Sequence, residues 1–506
     1  MYAFRSFYNG GGVAIGDLNN DGLPDIFFTG NMVTNRLYLN RGNFQFEDVT
    51  EEAGLLSDGI WSAGVSFADV NGDGLLDIYI TKSGRPGGER RHNELFINTG
   101  LPENSDTDIP LFEEKSAEFG LDVTGLSTHA VFFDYDRDGD LDMYLLNTSF
   151  DAIGGYENIT GEARQTPDPN GGDKLFRNDT HPSSLQQPSN GPGEKFTDVT
   201  SEAGIYSSRI AFGLSASVAD VNRDGWPDIY VANDFFERDY LYINNQDGTF
   251  REVLEEQMNS ISLSSMGTDI ADLTNNGWPD IYVADMYPYS ESRKKTKMRY
   301  ETYSEYQQNV KKGFHHQVTR NTLQLNLGND SEYHDLPLFS EIGRLSGVEA
   351  SDWSWAVLLA DYDYNGYTDI YVTNGIYKDL LDQDYIHYMA DPNEIRGMIQ
   401  SDRDDVIMTL MDRIPSVPQP NFLFSGEGEL HFTDSSEAWG LARPGFSSGA
   451  AWGDLNGDGS LDMVVNDVNG PARVYRNQVT ELHPERGRLV LELLGCLLYT
   501  SPSPRD

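Results

Sequence analysis

Nine-residue segments with oxygen-bearing side chains at positions 1, 3, 5 and 9 and a glycine at position 6 recur seven times in this chain. In the first, the oxygens belong to Asp17, Asn19, Asp21 and Asp25, and Gly22 stands sixth. Carboxylate and amide oxygens suit Ca²⁺, which takes about six to eight oxygen ligands in flexible geometry. The glycine permits the positive φ that a tightly turning backbone requires. We therefore interpret each segment as a loop that wraps one hard cation.

The segments are numbered loops 1 to 7 in chain order. Their candidate metal ligands, at positions 1, 3, 5 and 9, are Asp17, Asn19, Asp21, Asp25; Asp69, Asn71, Asp73, Asp77; Asp134, Asp136, Asp138, Asp142; Asp220, Asn222, Asp224, Asp228; Asp272, Thr274, Asn276, Asp280; Asp361, Asp363, Asn365, Asp369; and Asp454, Asn456, Asp458, Asp462. Loop 5 retains only two carboxylates, and fewer charges weaken Ca²⁺ affinity. The sequence predicts up to seven Ca²⁺ ions, with loop 5 as the weakest site.

The residues around the loops distinguish them from EF-hands. An EF-hand needs flanking helices and a bidentate Glu at position 12, but Phe28 and Ile80 occupy position 12 of loops 1 and 2. The segments after the loops, such as Ile78 to Thr81 and Ile229 to Ala232, are rich in β-branched and aromatic residues. Such runs are typical of strands. Each loop is therefore predicted to join two strands of an antiparallel hairpin.

Two further strand-like elements follow each hairpin. The third resembles Asn35 to Asn40 or Asn93 to Asn98, and the fourth resembles Phe46 to Thr50 or Phe196 to Thr200. Four strands per unit, repeated about seven times, predict an all-β fold: a seven-bladed β-propeller with four-stranded blades and small helical insertions. A linear solenoid is the alternative, but closure into a ring protects the strand edges.

Unequal spacing between the loops indicates three insertions, at residues 147–194, 287–320 and 377–420. Insertions in such scaffolds often carry function. The second is basic, from Arg293 to His316, and a basic segment on an acidic protein more often pairs with the protein's own acids than with a foreign anion. Adjacent histidines such as His315 and His316 cannot easily point both rings at one ion, so they are weak metal candidates.

The composition excludes several classes of partner. The formal net charge is −45, whereas nucleic-acid binding requires a basic surface. No apolar run reaches the roughly 18 residues of a membrane-spanning helix, so we expect no membrane insertion. Cys496 is the only cysteine, so no disulfide framework exists. Residues 1–7 contain no secretory apolar region, so either the protein is not exported by that route or its true N-terminus is missing.

The strand–loop–strand unit resembles the FG-GAP/VCBS repeats of integrin α-subunit propellers over about residues 11–477. Phe212 and Gly213, ahead of loop 4, match the dipeptide that names the repeat. The resemblance implies Ca²⁺ in the loops, held by the side chains given above. The linking phrases at 46–55 and 196–205 are similar to those of the cartilage-acidic-protein-like group, whose members usually end in a UnbV/ASPIC domain.

The resemblance also predicts the domain boundaries. Residues 1–480 are expected to form the propeller, and residues 481–495 the start of a truncated UnbV/ASPIC-like domain. Residues 496–506 resemble vector-derived sequence and are expected to be a non-native tail. Blade 7 is expected to be the least complete, because no fourth strand follows Asn477. Residues 2–7 are the only local candidate for that strand.

These observations favour a calcium-binding, secreted or cell-surface module that binds extracellular protein or glycan. No catalytic residues are predicted, because no GxSxG, HExxH, Walker or Rossmann motif is present. A propeller-scaffold polysaccharide lyase or hydrolase is the alternative, and a structural spacer is a third possibility. An enzyme should show a pocket in the central channel lined by His315, His316 or lysines with perturbed pKa values.

Overall fold

Small antiparallel sheets, one around each predicted loop, form the computed structural model of this chain. Six of these sheets have four strands each, paired in sequence order, and the sheet of loop 7 has three. This arrangement confirms the predicted all-β, seven-bladed propeller. The structure describes residues 8–57, 61–83, 92–102, 107–149, 159–180, 195–298, 301–329, 336–389, 410–428 and 430–486.

The strands of each blade follow one another from the centre of the ring to its rim. Blades 1 and 2 contain β1 Val13–Gly16, β2 Asp25–Phe28, β3 Arg36–Asn40, β4 Phe46–Asp48, β5 Ser62–Ala68, β6 Asp77–Lys82, β7 Glu94–Asn98 and β8 Phe112–Glu114. Blades 3 and 4 contain β9 Ser127–Phe133, β10 Asp142–Asn147, β11 Lys174–Asn178, β12 Phe196–Asp198, β13 Gly213–Ala219, β14 Asp228–Asn233, β15 Tyr240–Asn244 and β16 Phe250–Glu252.

The remaining blades follow the same order. Blades 5 to 7 contain β18 Thr268–Ala271, β19 Asp280–Val283, β21 Thr322–Asn329, β22 Pro337–Glu341, β23 Ser354–Ala360, β24 Asp369–Asn374, β25 Phe422–Gly426, β26 Phe432–Asp434, β27 Ser447–Gly453, β28 Asp462–Asp467 and β29 Arg473–Tyr475. Outside the blades, β17 Ile261–Ser262 and β20 Gln317–Val318 form a short parallel pair.

Burial of the second strands explains their apolar sequences. β6, β14 and β24 are buried along their whole length, because each blade packs between two neighbours. Short continuous apolar runs are expected of such strands. Seven apolar clusters result, one between each pair of neighbouring blades. The cluster between blades 7 and 1 is small, with Val13, Ile26, Ala451, Leu455 and Val464 as its buried members.

Contacts between blade 7 and blade 1 close the ring. The Ser448 hydroxyl donates to the Gly11 carbonyl at 3.0 Å, and the Asn466 amide donates to the same carbonyl at 3.1 Å. The inner strands of all seven blades line one central cavity of about 270 Å³. These contacts exclude the linear solenoid.

The strand order separates two faces of the disc. In every blade the loop between the first and second strands lies at one edge, which we call the loop face. The connection from the second to the third strand therefore lies at the opposite edge, because the strands are antiparallel. The predicted insertions at 287–320 and 377–420 occupy this second type of connection, so we call the opposite edge the insertion face. The insertion predicted at 147–194 is not one loop: it contains β11 Lys174–Asn178, and only its part before β11 belongs to this type of connection.

Helices occur mainly in the insertions, as the sequence predicted. The basic insertion contains helices at Glu291–Lys297 and Tyr303–Lys311, and the next insertion contains one at Gln383–Met389. The insertion of blade 3 contains a 3₁₀ turn at Gly161–Gln165. Single helical turns outside the insertions span Ser116–Phe119, Leu254–Gln257, Gly343–Ser346 and Val479–Leu482.

The basic insertion pairs with the protein's own acids, which confirms that prediction. Arg293 donates to Asp352 at 2.7 Å, and Lys297 contacts Asp379 at 3.1 Å. Asp379 and Asp352 are both almost fully buried. These ion pairs attach the insertion of blade 5 to the inner strand and insertion of blade 6.

Blade 7 shows three strands among the described residues, and β29 Arg473–Tyr475 is its outer edge there. The candidate fourth strand at residues 2–7 and the predicted C-terminal segments after residue 486 lie outside the described residues. Within the described part of the chain, no helix is long and apolar enough to cross a membrane.

Equivalent third-strand positions in blades 1 and 7 provide a test of blade packing. Leu37 pairs with Phe27 and is fully buried, whereas Val474 pairs with Val464 and is 41% exposed. Leu37→Ala should lower the free energy of unfolding by about 2–5 kcal/mol, and Val474→Ala by about 0.5 kcal/mol. Urea denaturation midpoints would measure both changes. Similar losses would contradict the burial described here.

Candidate metal centre

Two left-handed residues turn the backbone of each loop. The glycine at position 6 has positive φ in all seven loops, for example 86° at Gly22 and 77° at Gly459. The residue at position 4 is also left-handed, with φ of 57° at Asn20 and 59° at Arg223. The sequence analysis identified position 6 but missed position 4. A signal was present, because asparagine and glycine favour this conformation and occupy position 4 in loops 1, 2, 5 and 7.

The carboxylate at position 1 is held by the backbone of its own loop. Asp17 accepts hydrogen bonds from the N–H of Asp21 at 3.1 Å and of Gly22 at 2.7 Å. The same pair of bonds recurs in the other six loops. The fold therefore orients a negatively charged group at the mouth of every loop.

The carboxylate at position 9 joins the start of the loop to the third strand. Asp25 is fully buried, and its two oxygens accept from the N–H of Leu18 and of Asn40, both at 2.9 Å. Position 9 in every other loop makes the equivalent two bonds. This aspartate therefore has a structural role besides its candidate role as a ligand.

Carboxylates converge most closely in loops 3 and 6. Ligand oxygens of Asp134, Asp136 and Asp138 all lie within 4.8 Å of one another, as do those of Asp361, Asp363 and Asp369. Like charges this close oppose ionisation unless a cation lies among them. The predicted ligands are therefore brought together in these loops by the fold.

Unsatisfied oxygens show that the loops fit a hard cation. Oδ1 of Asp136 and Oγ1 of Thr274 are buried and have no hydrogen-bond partner. Buried polar oxygens normally have a partner, and an oxygen-seeking ion such as Ca²⁺ would supply one. The residues at positions 1, 3, 5 and 9 would hold this ion.

Burial perturbs the aspartates at position 9. It raises the pKa of Asp25, Asp77 and Asp280 to about 7, and that of Asp369 to about 8. The neighbouring loop carboxylates raise these values further, while the backbone hydrogen bonds lower them. Without a cation these groups would therefore be partly protonated near neutral pH.

The histidine pair of the basic insertion lies away from the loops. His315 Nε2 is 2.8 Å from the Met258 carbonyl, and His316 Nδ1 is 2.6 Å from the Tyr306 hydroxyl. The central cavity instead contains His129, which the sequence analysis did not single out. Burial lowers the pKa of His129 to about 4, so this side chain is neutral at physiological pH.

The raised pKa values predict how stability depends on pH without metal. A carboxyl whose pKa is higher in the folded than in the unfolded chain stabilises the fold while protonated, and this contribution is lost as pH rises through the folded-state pKa. In EDTA, the urea midpoint should therefore fall as pH rises from about 5 to about 8. Excess calcium should flatten this trend. A midpoint in EDTA that rises over this range would contradict the raised pKa values.

Comparison with known proteins relates this ring to an established repeat. A sequence profile described as an FG-GAP-like repeat matches residues 9–80 and 220–283. A solved lectin structure from Agrocybe aegerita, described as recognising non-reducing terminal N-acetylglucosamine, aligns over 92% of this chain and 94% of its own. Its identity is 15% and its TM-score is 0.39, so this likeness supports no inference about function.

Two human proteins are similar to part of the chain. Integrin alpha-6 is 36% identical over 95 residues, which cover 17% of this chain and 8% of that protein. Cartilage acidic protein 1 is 33% identical over 86 residues, which cover 17% of this chain and 12% of that protein. Residues 9–80 and 220–283 therefore match FG-GAP-like repeats, and part of the chain is similar to a small part of integrin alpha-6 and of cartilage acidic protein 1.

Proposed function

We propose that this chain is a calcium-stabilised binding or adhesion module that recognises an extracellular protein or glycan through its insertion face. The observation that carries the proposal is the convergence of loop carboxylates, closest in loops 3 and 6, at the edge opposite the connections from second to third strands. Bound Ca²⁺ would neutralise these carboxylates and stiffen the hairpin corners, because it binds only the folded loop. Homology to integrin α subunits and cartilage acidic protein 1 supports a location outside the cell or on its surface.

The insertions form one continuous surface. The Gly161 N–H in the blade 3 insertion donates to the Lys312 carbonyl in the blade 5 insertion at 2.6 Å. Arg164 also donates to the Gly313 carbonyl, at 3.0 Å. Together with the pairing of Lys297 and Asp379, these contacts join the insertions of blades 3, 5 and 6. A connected surface of this kind suits a macromolecular ligand.

Exposed aromatic side chains on this surface are candidate contacts. Tyr289, Tyr303 and Tyr377 are 56%, 77% and 40% exposed, and all three belong to insertions. Tyrosine is enriched at protein interfaces, where its ring packs and its hydroxyl forms hydrogen bonds. These residues support the assignment of the insertion face as the binding surface.

The alternative, a polysaccharide lyase or hydrolase, predicted catalytic groups in the central channel. Neither His315, His316 nor a lysine is among the described residues that line the cavity, whose titratable groups are His129 and Asp269. His315 and His316 bond within and beside their insertion instead. The names of the two human homologues denote no enzyme. These observations favour binding over turnover.

Calcium binding can be tested by comparing loops 7 and 5. Asp454→Ala removes one of three loop carboxylates, while Asp272→Ala changes the loop predicted to bind most weakly. At about 100 times its dissociation constant, each ion stabilises the fold by about 2.7 kcal/mol. Asp454→Ala should therefore reduce the difference in melting temperature between calcium and EDTA more than Asp272→Ala does. Glu51→Ala, an exposed carboxylate outside the loops, is the matched control. An unchanged melt between calcium and EDTA in the wild type would refute calcium binding.

Ligand recognition can be tested on arrays of glycans and matrix proteins, with polysaccharide turnover measured in parallel. We expect calcium-dependent binding without turnover. The double variant Tyr289→Ala/Tyr303→Ala should weaken binding to the captured ligand at least about tenfold, as interface aromatics often do. Leu101→Ala, 47% exposed on the loop face, should leave it unchanged. Equal effects of both variants would contradict the assignment of the face, and turnover would favour the enzyme.

A further inference from the structure

An asparagine at or near the end of the third strand connects six of the seven blades to the preceding loop. In blade 2, the backbone N–H of Asn98 donates to Oδ1 of Asp77, at position 9 of its own loop, at 2.8 Å. Its side-chain amide donates to the carbonyl of Leu18, at position 2 of loop 1, also at 2.8 Å. One asparagine therefore bonds to the position 9 aspartate of its own loop and to the position 2 carbonyl of the preceding loop.

The arrangement recurs at six of the seven blade junctions. The other five amide-to-carbonyl bonds join Asn40 to Leu455 at 2.7 Å, Asn178 to Val70 at 3.0 Å, Asn244 to Tyr135 at 2.8 Å, Asn326 to Val221 at 2.9 Å and Asn477 to Tyr362 at 2.8 Å. The residue at position 2 also donates its N–H to the position 9 aspartate of its own loop, as Leu18 does to Asp25. The position 9 aspartate of one loop is thus linked through the residue at position 2 of that loop and the asparagine of the next blade to the next position 9 aspartate. We call this chain of hydrogen bonds the asparagine belt.

The belt is interrupted between loops 5 and 6. Gly426 occupies the asparagine position in blade 6, and its N–H still donates to Asp369 at 2.9 Å. It has no side chain to reach loop 5. A Cβ atom here would lie 2.5 Å from the Thr368 carbonyl oxygen, so the local backbone leaves no room for asparagine. Loops 5 and 6 are therefore neighbours in space but opposite ends of the belt.

A second type of contact between loops is independent of the belt. The position 4 side chain reaches the position 6 carbonyl of the next loop, as Arg137 does with Gly225 at 3.0 Å and Asn275 does with Gly366 at 2.7 Å. The junction of loops 3 and 4 therefore has both contacts. The junction of loops 5 and 6 lacks the belt but has, besides the second contact, a bond from the Thr368 hydroxyl to the Asp272 carbonyl at 3.3 Å. This junction therefore tests whether contacts outside the belt are enough to couple two loops.

We propose that the asparagine belt couples the metal loops in series and that its asparagines are positioning residues for the aspartates at position 9. This inference rests on the proposed function, in which the loops bind Ca²⁺. An ion that orders one aspartate would also order the backbone groups bonded to it and, through the asparagine, the next aspartate. The neighbouring loop would then lose less conformational freedom on binding, which gives positive coupling.

Terbium luminescence can report on single loops of the full chain. Trp226 and Trp278 stand at position 7 of loops 4 and 5 and would sensitise terbium bound beside them. Excitation at a wavelength that tryptophan but not tyrosine absorbs removes the signals of the loop tyrosines, and Trp452→Phe removes the tryptophan before loop 7. In that background, Trp278→Phe leaves the loop 4 signal, and Trp226→Phe leaves the loop 5 signal. Competition with calcium then measures binding at each loop. Circular dichroism in saturating calcium confirms that each variant is folded.

Loss of metal binding at loop 3 should weaken terbium binding at loop 4 only while the asparagine belt is intact. Asp134→Ala should raise the terbium concentration for half-saturation of loop 4 at least about fivefold, the lower end of typical couplings. The same change in an Asn244→Gly background should have no such effect. Asn244→Gly reproduces the glycine that blade 6 already carries, so it should fold. If it does not, Asn326→Gly with Asp220→Ala, read at Trp278, tests the next junction.

The junction without the belt is the control. Asp361→Ala inactivates loop 6 and should leave half-saturation of loop 5 unchanged, although the bonds of Asn275 with Gly366 and of Thr368 with Asp272 span that junction. Equal shifts at both junctions, or a shift that persists in Asn244→Gly, would assign the coupling to contacts outside the belt and overturn the proposal. Independent loops would overturn it as well. Absence of any calcium-displaceable signal would instead refute calcium binding itself, and the coupling with it.

Discussion

A buried carboxylate at position 9 of each loop is the constraint on which the ring depends. Every second strand begins at this residue, as β2 does at Asp25 and β6 at Asp77. Burial of a charged group is costly unless hydrogen bonds compensate, and here two backbone N–H groups do so. The start of the loop and the end of the third strand must therefore keep fixed positions. One side chain thereby determines the geometry of three strands.

The same carboxylates make the ring sensitive to cations. Their pKa values are raised chiefly by burial and further by neighbouring loop acids, so the charged state is unfavourable in the fold alone. A bound cation would favour the charged state and relieve the repulsion between close oxygens. The ligand positions of the loops hold 21 of the 81 acidic residues, so part of the acidity of the chain lies where an ion can act on the structure.

Because the strands of each blade are antiparallel, the candidate metal loops and the proposed binding surface lie at opposite edges of the disc. The candidate metal loops occupy one edge of the disc, and the insertions at 287–320 and 377–420 occupy the other. Insertions can therefore vary in length and chemistry without disturbing the loops. The ion pairs of Arg293 and Lys297 show that an insertion on an acidic protein can be basic for internal reasons. Charge in the sequence indicated a pairing, and the structure identified the partners.

Local patterns were sufficient to predict the blades. Alternating oxygens around Gly22 predicted the loop, and the β-branched runs beside it predicted the hairpin, because turn geometry and strand preference depend on neighbouring residues. Repetition then predicted a ring, since seven stacked sheets can bury their apolar faces only against one another. The same repeated pattern identified Asp134, Asp136 and Asp138 as candidate ligands, and the structure brings their carboxylates together.

Contacts between distant parts of the chain could not be read from the sequence. The terminal asparagines of the third strands were visible as a pattern, but their bonds to the preceding loop exist only once the blades are stacked. His129 faces the central cavity because seven inner strands meet there, and no local signal marks it. The sequence by itself determined the elements that depend on neighbouring residues. The tertiary structure alone decided the contacts across blade junctions, because these join groups that lie tens or hundreds of residues apart.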